Sequence, residues 1–159
     1  MTFRTNQEVI EAFFNQVKPI GKNPIQSLWF NGNKIYSYRS LLGIIDVPNK
    51  VLLIDDNIRH YSVTTSKHTS PLIREALCND YKIFSIPLEE PRETVIKFYL
   101  DKITELLGKY KRARKHKEFY KVRIKAYIKD SEDYAKYSGI KNYKADTTLM
   151  QELFKLCIL

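Results

Sequence analysis

Cysteine, glycine and proline are scarce in this chain, and acidic residues are fewer than basic ones. Its two cysteines, Cys78 and Cys157, form no CxxC pair, so their number does not suggest a disulfide scaffold. We expect both to be buried free thiols in a reducing compartment. Only five glycines and six prolines occur among 159 residues, which argues against long flexible linkers.

Long apolar runs are also missing. No run approaches the roughly 20 residues that a membrane-spanning helix needs, so we expect no membrane partner. The N-terminal sequence MTFRTNQEVIEAFF lacks a basic segment followed by an apolar core, so a signal peptide is not expected. The sequence therefore predicts a cytoplasmic protein, of a cell or of an infected cell.

Most sequence signatures of catalysis are absent. The chain has no Walker loop, GxGxxG fingerprint or GxSxG elbow. His60, His68 and His116 are not at zinc-site spacings, so we predict no metal and no cofactor. Asp55 and Asp56 are explained more simply by a turn than by a metal-dependent nuclease site. We assign no catalytic residues, and an enzyme is the less favoured reading.

One enzyme alternative stays open, a metal-independent nuclease. Tyr61, Lys67 and His68 would supply the residue types of a phosphodiesterase site. A separate alternative, which no GxSxG elbow supports, pairs Ser62 or Ser66 as a nucleophile with His60 or His68 as its base. A cleavage assay with and without chelator separates this reading from simple binding.

The periodicity of apolar residues predicts an α+β fold in a single domain, residues 1–159. Residues 1–86 read as a β-rich part with an N-terminal helix, which opens at Thr5 with a capping box. The small sheet is predicted to be antiparallel, because short strands alternate with tight turns such as Asn31-Gly32-Asn33. Residues 87–159 read as helical, with a possible interruption at Gly108 and a stop at Gly139.

The net charge of +9 is concentrated in the second half of the chain. Residues 1–80 carry +2 and residues 81–159 carry +7, and residues 109–125 alone contain nine lysines and arginines and one acid, Glu118. Such a surface attracts nucleic acid, anionic lipid or an acidic protein. The alternative is a solvated basic face whose tyrosines belong to the core.

We predict that this basic segment is helical and binds DNA or RNA through phosphate contacts, with weak sequence specificity. The interleaved aromatic residues would stack on unpaired bases. The predicted contacts are Lys111, Arg112, Arg114, Lys115, Lys121 and Arg123.

A second polar cluster, residues 59–68, contains four serine and threonine residues, two histidines and two cations. It is placed where a strand meets a helix, so Arg59, Lys67 and His68 are candidate contacts for an anion. The competing and favoured interpretation is that Thr64, Thr65 and Ser66 compete to cap the helix.

The same cluster carries a resemblance. The chain has an aromatic strand at residues 28–30, an Asn/Gly turn, Tyr36-Ser37-Tyr38, an apolar strand and then Tyr-Ser-x-Thr-Thr-Ser-Lys-His at residues 61–68. This order is similar to that of short uncharacterised proteins of phages and other mobile elements, over residues 28–75 only. The resemblance implies a viral or mobile-element origin but brings no agreed activity.

That origin suggests two roles, handling nucleic acid or blocking a host defence complex. The runner-up is thus an anti-CRISPR-like inhibitor that binds a host nucleoprotein. A homodimer formed through unassigned apolar surface is a further open prediction.

Overall fold

The computed structural model describes residues 1–57, 63–141, 143, 147–156 and 158. The chain divides into two compact units, Met1–Glu89 and Glu90–Leu159. The first unit contains a sheet and two helices, and the second is helical, so the predicted α+β class is confirmed. Their boundary lies three residues from the one expected between the β-rich and helical parts.

The first helix, α1 (Asn6–Asn15), follows its sequence signals closely. The Thr5 hydroxyl accepts a hydrogen bond from the Glu8 amide at 3.2 Å, as an N-cap does. Glu8 in turn accepts from the amide of Arg4 rather than from that of Thr5. Its apolar residues are buried as predicted, except for Val17, which lies beyond the end of the helix and is 64% exposed. The buried residues are Val9, Ile10, Ala12, Phe13 and Phe14.

The described strands form one six-stranded sheet in chain order. They are β1 (Ile20–Lys22), β2 (Leu28–Asn31), β3 (Lys34–Ser37), β4 (Ser40–Asp46), β5 (Val51–Asp55) and β6 (Lys82–Ile86). The antiparallel meander from β2 to β5 is as predicted, including the turn at Gly32, whose φ is +56°. Two features were missed: the short strand β1, and the parallel pairing of β6 with β5.

The core of the first unit lies between one face of this sheet and two helices. Helix α2 (Val63–Cys78) connects β5 to β6 and buries Leu72 and Ala76 against the same apolar cluster as α1. The sheet contributes alternate residues, as a strand with one covered face does, and these include Leu28, Phe30, Ile35, Leu52 and Ile54. The sequence also predicts a strand at residues 59–63, which lies outside the described residues except for Val63, where α2 begins.

The second unit contains α3 (Arg92–Arg112), α4 (Lys117–Ser138) and α5 (Thr147–Lys155). Helix α3 runs through Gly108 without interruption, contrary to expectation, whereas α4 ends at Gly139, whose φ of +72° suits glycine. The sequence spacing of Leu149, Leu153, Phe154 and Cys157 predicts one inward face for α5. Leu153 is fully buried, but Phe154 is 72% exposed, so this prediction is wrong for Phe154.

Cys78 is a free thiol but is exposed, which corrects the expectation of burial, and Cys157 lies outside the described residues.

No helix in the described part of the chain combines the length and apolarity needed to cross a bilayer.

Candidate nucleic-acid interface

The basic segment belongs to a hairpin of two antiparallel helices, α3 and α4. Their apolar stripes pack together in a core that includes Ile103, Leu107 and Ile124. The opposite end of the hairpin is closed by Arg92 at the start of α3, which donates a hydrogen bond to the carbonyl of Ser138 at 3.3 Å. The start of α3 thus lies beside the end of α4, and the turn joining them forms the tip.

The tip, residues 113–116, interrupts the basic segment, so the expected continuous helix is wrong here. Helix α3 ends at Arg112, and α4 begins at Lys117 after His116, which has a left-handed φ of +60°. Arg114 and Lys115 therefore lie in the turn rather than on a helical face with Lys111 and Lys121. The cations in the last turn of α3 lie near the negative end of its dipole, a favourable placement.

Three of the predicted contacts already have partners within the second unit. Lys111 forms an ion pair with Glu152 of α5, and Lys121 lies 3.3 Å from Glu118. Arg123 lies over the ring of Phe119, 5.5 Å from its centroid.

The other three predicted contacts, Arg112, Arg114 and Lys115, are exposed. In the described residues no carboxylate forms an ion pair with any of them. These three tip cations lie within positions 112–115, at the last residue of α3 and in the turn that follows it, which makes this the part of the basic segment with the most uncompensated charge.

The aromatic residues of the segment divide between core and surface. Tyr110 is buried in the hairpin core, with Lys117 5.1 Å from its ring centroid, and Tyr120 is half-buried. Phe119 is 56% exposed. Stacking on an unpaired base is thus open to Phe119 more than to the tyrosines.

The second predicted cluster lies mostly within helix α2 in its described part. Residues 64–68 lie within the first two turns of α2 rather than before it, so the helix begins earlier than the expected caps. His68 is only 3% exposed, and its Nδ1 is 2.8 Å from the Ser37 hydroxyl on β3. Burial lowers the pKa of His68, because a charged imidazole would lose its hydration there.

This burial corrects the expectation of His68 as an anion contact. A neutral imidazole enclosed between helix and sheet is not available to a ligand in solvent. Lys67 is exposed on α2, and Arg59 lies outside the described residues. The cluster therefore contributes one available cation from its described part.

A polar cleft of about 410 Å³ lies at the carboxyl end of β5, lined by Asp55, Glu89, Arg39 and Thr65 among others. Burial raises the pKa of Asp55, assisted by repulsion from Glu89 and Asp56 and opposed by the backbone amides of Asn57 and Leu88. Across the described residues no three histidine, cysteine or carboxylate side chains converge as metal ligands would.

Sequence reasoning missed a second concave surface in the first unit. An open cavity of about 560 Å³ is lined by Gln26, Trp29, Tyr38, Arg39 and Ser40. One signal for it was present: Tyr38 and Arg39 occupy the two loop positions between β3 and β4, where asparagine and glycine are usual.

The chain shows no significant match to any protein-family model, curated protein or solved structure. The resemblance of residues 28–75 to phage proteins therefore stays a prediction. Function has to be inferred from the charge and geometry of the molecule itself.

Proposed function

We propose that this protein binds nucleic acid through the tip of its helical hairpin, with Arg112, Arg114 and Lys115 contacting phosphates. The observation that carries the proposal is their uncompensated charge: they are exposed, adjacent, and unpaired with any carboxylate of the described residues. Desolvating a cation against a phosphate is easier when no internal ion pair must first be broken.

The surrounding charge supports the same role. Lys117, Lys121 and Arg123 continue from the tip along the first turns of α4. The net charge of +9 attracts a polyanion from a distance, and most of it lies in residues 81–159. Lys121 and Arg123 are secondary contacts in this proposal, because Glu118 and Phe119 already engage them.

Binding of this kind follows the nucleic-acid backbone. Lysine and arginine contacts to phosphate carry no direct sequence information, so we expect similar affinity for unrelated sequences. Each neutralised phosphate contributes about 0.9 to the negative slope of log K against log salt on duplex DNA, and about 0.7 on a single strand.

The proposal is tested by charge reversal. The variant Arg112→Glu, Arg114→Glu, Lys115→Glu should lose at least about tenfold in affinity at moderate salt, and its salt slope should shrink by about 2 to 3. Lys111 is left unchanged, because a carboxylate in its place would repel Glu152 and disturb the packing of α5.

A matched control reverses three exposed lysines away from the tip, at Lys97, Lys136 and Lys141. It has the same net charge as the tip variant, so a purely global effect would weaken both variants equally. Circular dichroism checks that both remain folded. Equal loss of affinity in the two variants, or unchanged binding in the tip variant, contradicts the assignment of the tip.

The same exposed cations favour one alternative partner class, an acidic face on a host protein or nucleoprotein, as an anti-CRISPR-like inhibitor would require. Full-length protein that binds no DNA or RNA even at low salt would move the proposal to that class. A pull-down with the tip variant as the negative control would then identify the partner protein that the tip binds.

A further inference from the structure

The cavity beside Trp29 is built around a fixed aromatic platform. Trp29 and Tyr36 are directly opposite one another on β2 and β3, and their rings stack at 4.1 Å with an interplanar angle of 8°. The indole Nε1 donates a hydrogen bond of 2.6 Å to the carbonyl of Tyr38, which fixes the ring in its plane. The platform lies on the sheet face opposite α1, because the neighbouring Leu28 and Phe30 point into the core.

The turn next to this platform has an unusual backbone. Tyr38 has a φ of +54°, a left-handed conformation that a bulky side chain rarely adopts, and its ring is 52% exposed. Gln26, which also lines the cavity, has a φ of +55°. They are two of six non-glycine residues with a positive φ in the described chain, and Tyr38 adopts it as the first residue of the two-residue turn between β3 and β4.

The positive charge of Arg39 indicates that the ligand of this cavity is anionic. Arg39 is exposed at the rim of the cavity and forms no ion pair with a carboxylate of the described chain. An unpaired guanidinium disfavours a cationic ligand and suits a phosphate, which it can bind through two hydrogen bonds. Gln26 and Ser40 add donors and acceptors for the edge of a polar ring.

We propose that this cavity binds a single unpaired nucleotide, with the base stacked on Trp29, the Tyr38 ring at its edge and the phosphate on Arg39. A flat heterocycle bearing an adjacent phosphate matches the combination of an aromatic platform and an unpaired guanidinium. The volume of about 560 Å³ is in the range of small-molecule sites. This site lies in the first unit and goes beyond the proposed function of the hairpin tip.

The chain supplies its own reporter, since Trp29 is its only tryptophan. Full-length protein is titrated with adenosine, guanosine, cytidine and uridine monophosphates, with ribose 5-phosphate and inorganic phosphate as ligands that lack a base. We expect saturable quenching of Trp29 emission by the nucleotides and no quenching by the two controls. No quenching by any nucleotide, or equal quenching by inorganic phosphate, would overturn the proposal.

Two variants and one control assign the contacts. Tyr38→Gly removes the ring while suiting the positive φ, and Arg39→Gln removes the charge, and each should weaken nucleotide binding by about tenfold or more. Lys34→Gln changes the charge equally on β3 but at a residue outside the cavity lining, so its affinity should match that of the parent protein. Unchanged affinity in Tyr38→Gly and Arg39→Gln would contradict the assignment.

Further titrations show whether the nucleotide is free or part of a strand, and they separate the cavity proposal from the hairpin-tip proposal. Tighter quenching by single-stranded oligonucleotides than by monophosphates assigns a strand as the source, and the reverse order assigns a free nucleotide. A duplex, whose bases are already stacked, should not quench. The tip variant should keep its monophosphate quenching, and Arg39→Gln should keep its salt-dependent duplex binding. Wild-type protein that binds duplex but shows no quenching overturns this site. Wild-type protein that is quenched by nucleotides but binds no duplex overturns the hairpin tip.

Discussion

Acidification should destabilise the first unit through His68. The imidazole is 3% exposed, and burial lowers its pKa below the ordinary value of 6.5. Well above pH 6.5 both the folded and the unfolded chain hold His68 neutral, so its contribution is fully present there. As the pH falls below 6.5 the unfolded chain takes up a proton that the folded chain resists, and stability is lost.

The size of this loss of stability is limited by the uptake of one proton by His68 on unfolding. The free energy of unfolding should fall with a slope of at most about 1.4 kcal/mol per pH unit, and by up to about 1.4 kcal/mol between about pH 7.5 and about pH 5.5. Urea denaturation followed by Trp29 fluorescence measures this in the first unit directly, since Trp29 lies in β2.

The variant His68→Gln isolates the histidine, because glutamine can still hydrogen-bond to Ser37 but does not titrate. Asp55 has a raised pKa, so it contributes with the opposite sign, favouring the folded state as the pH falls toward 3.8. That contribution is common to both proteins and cancels in their difference. A stability difference between wild type and His68→Gln that is the same at both pH values would refute the buried, neutral His68.

Three other substitutions give distinct expectations. Glu152→Gln should release Lys111 for a phosphate contact, steepening the salt slope on duplex DNA by up to about 0.9, while stability changes by less than about 1 kcal/mol because the pair is exposed. Gly21→Ala should destabilise the protein by about 1 to 3 kcal/mol in urea, because the added Cβ would overlap ring atoms of Phe30. Gly108→Ala should raise the free energy of unfolding by about 0.5 to 1 kcal/mol, because alanine favours helix more than glycine does. The added Cβ would lie at an ordinary 3.9 Å from the nearest atom, in the Arg112 side chain, and the gain should appear as a higher Tm by circular dichroism. A neutral Gly21→Ala or a destabilising Gly108→Ala would show that the packing described around these residues is wrong.

Local sequence signals predicted the elements that are bounded by clear capping or turn residues. The Thr5 cap, the Gly32 turn and the Gly139 stop each act within a few residues, and the structure places all three as expected. The short strand β1 was missed because three residues carry too little periodicity to stand out. The parallel β5–β6 pairing depends on where α2 crosses the sheet, which no local pattern encodes.

The break at the hairpin tip was missed for a related reason. Residues 113–116 contain no glycine or proline, and alanine, arginine and lysine favour helix. Packing of α3 against α4 determines the turn, and the apolar stripes continue on both sides of it without marking it. Tertiary contact thus overrides local propensity here.

The sequence predicts the positive charge of the candidate site but not which of its basic residues form ion pairs. Composition alone located the basic segment, but the partner of Lys111 lies 41 positions away in α5. Only the fold shows that Lys111 is paired, while no carboxylate of the described residues forms an ion pair with Arg112, Arg114 or Lys115. In the same way, His68 reads in sequence as a polar loop residue, and its burial against Ser37 depends on β3 and α2 meeting.

The most direct test of nucleic-acid binding is fluorescence anisotropy of labelled single- and double-stranded DNA and RNA, titrated with wild-type protein at several salt concentrations. Contacts by the three tip cations predict binding whose log affinity falls linearly with log salt, with a slope of about −2 to −3 from the tip alone on duplex DNA. Binding that does not change with salt, or no binding at low salt, would contradict the account.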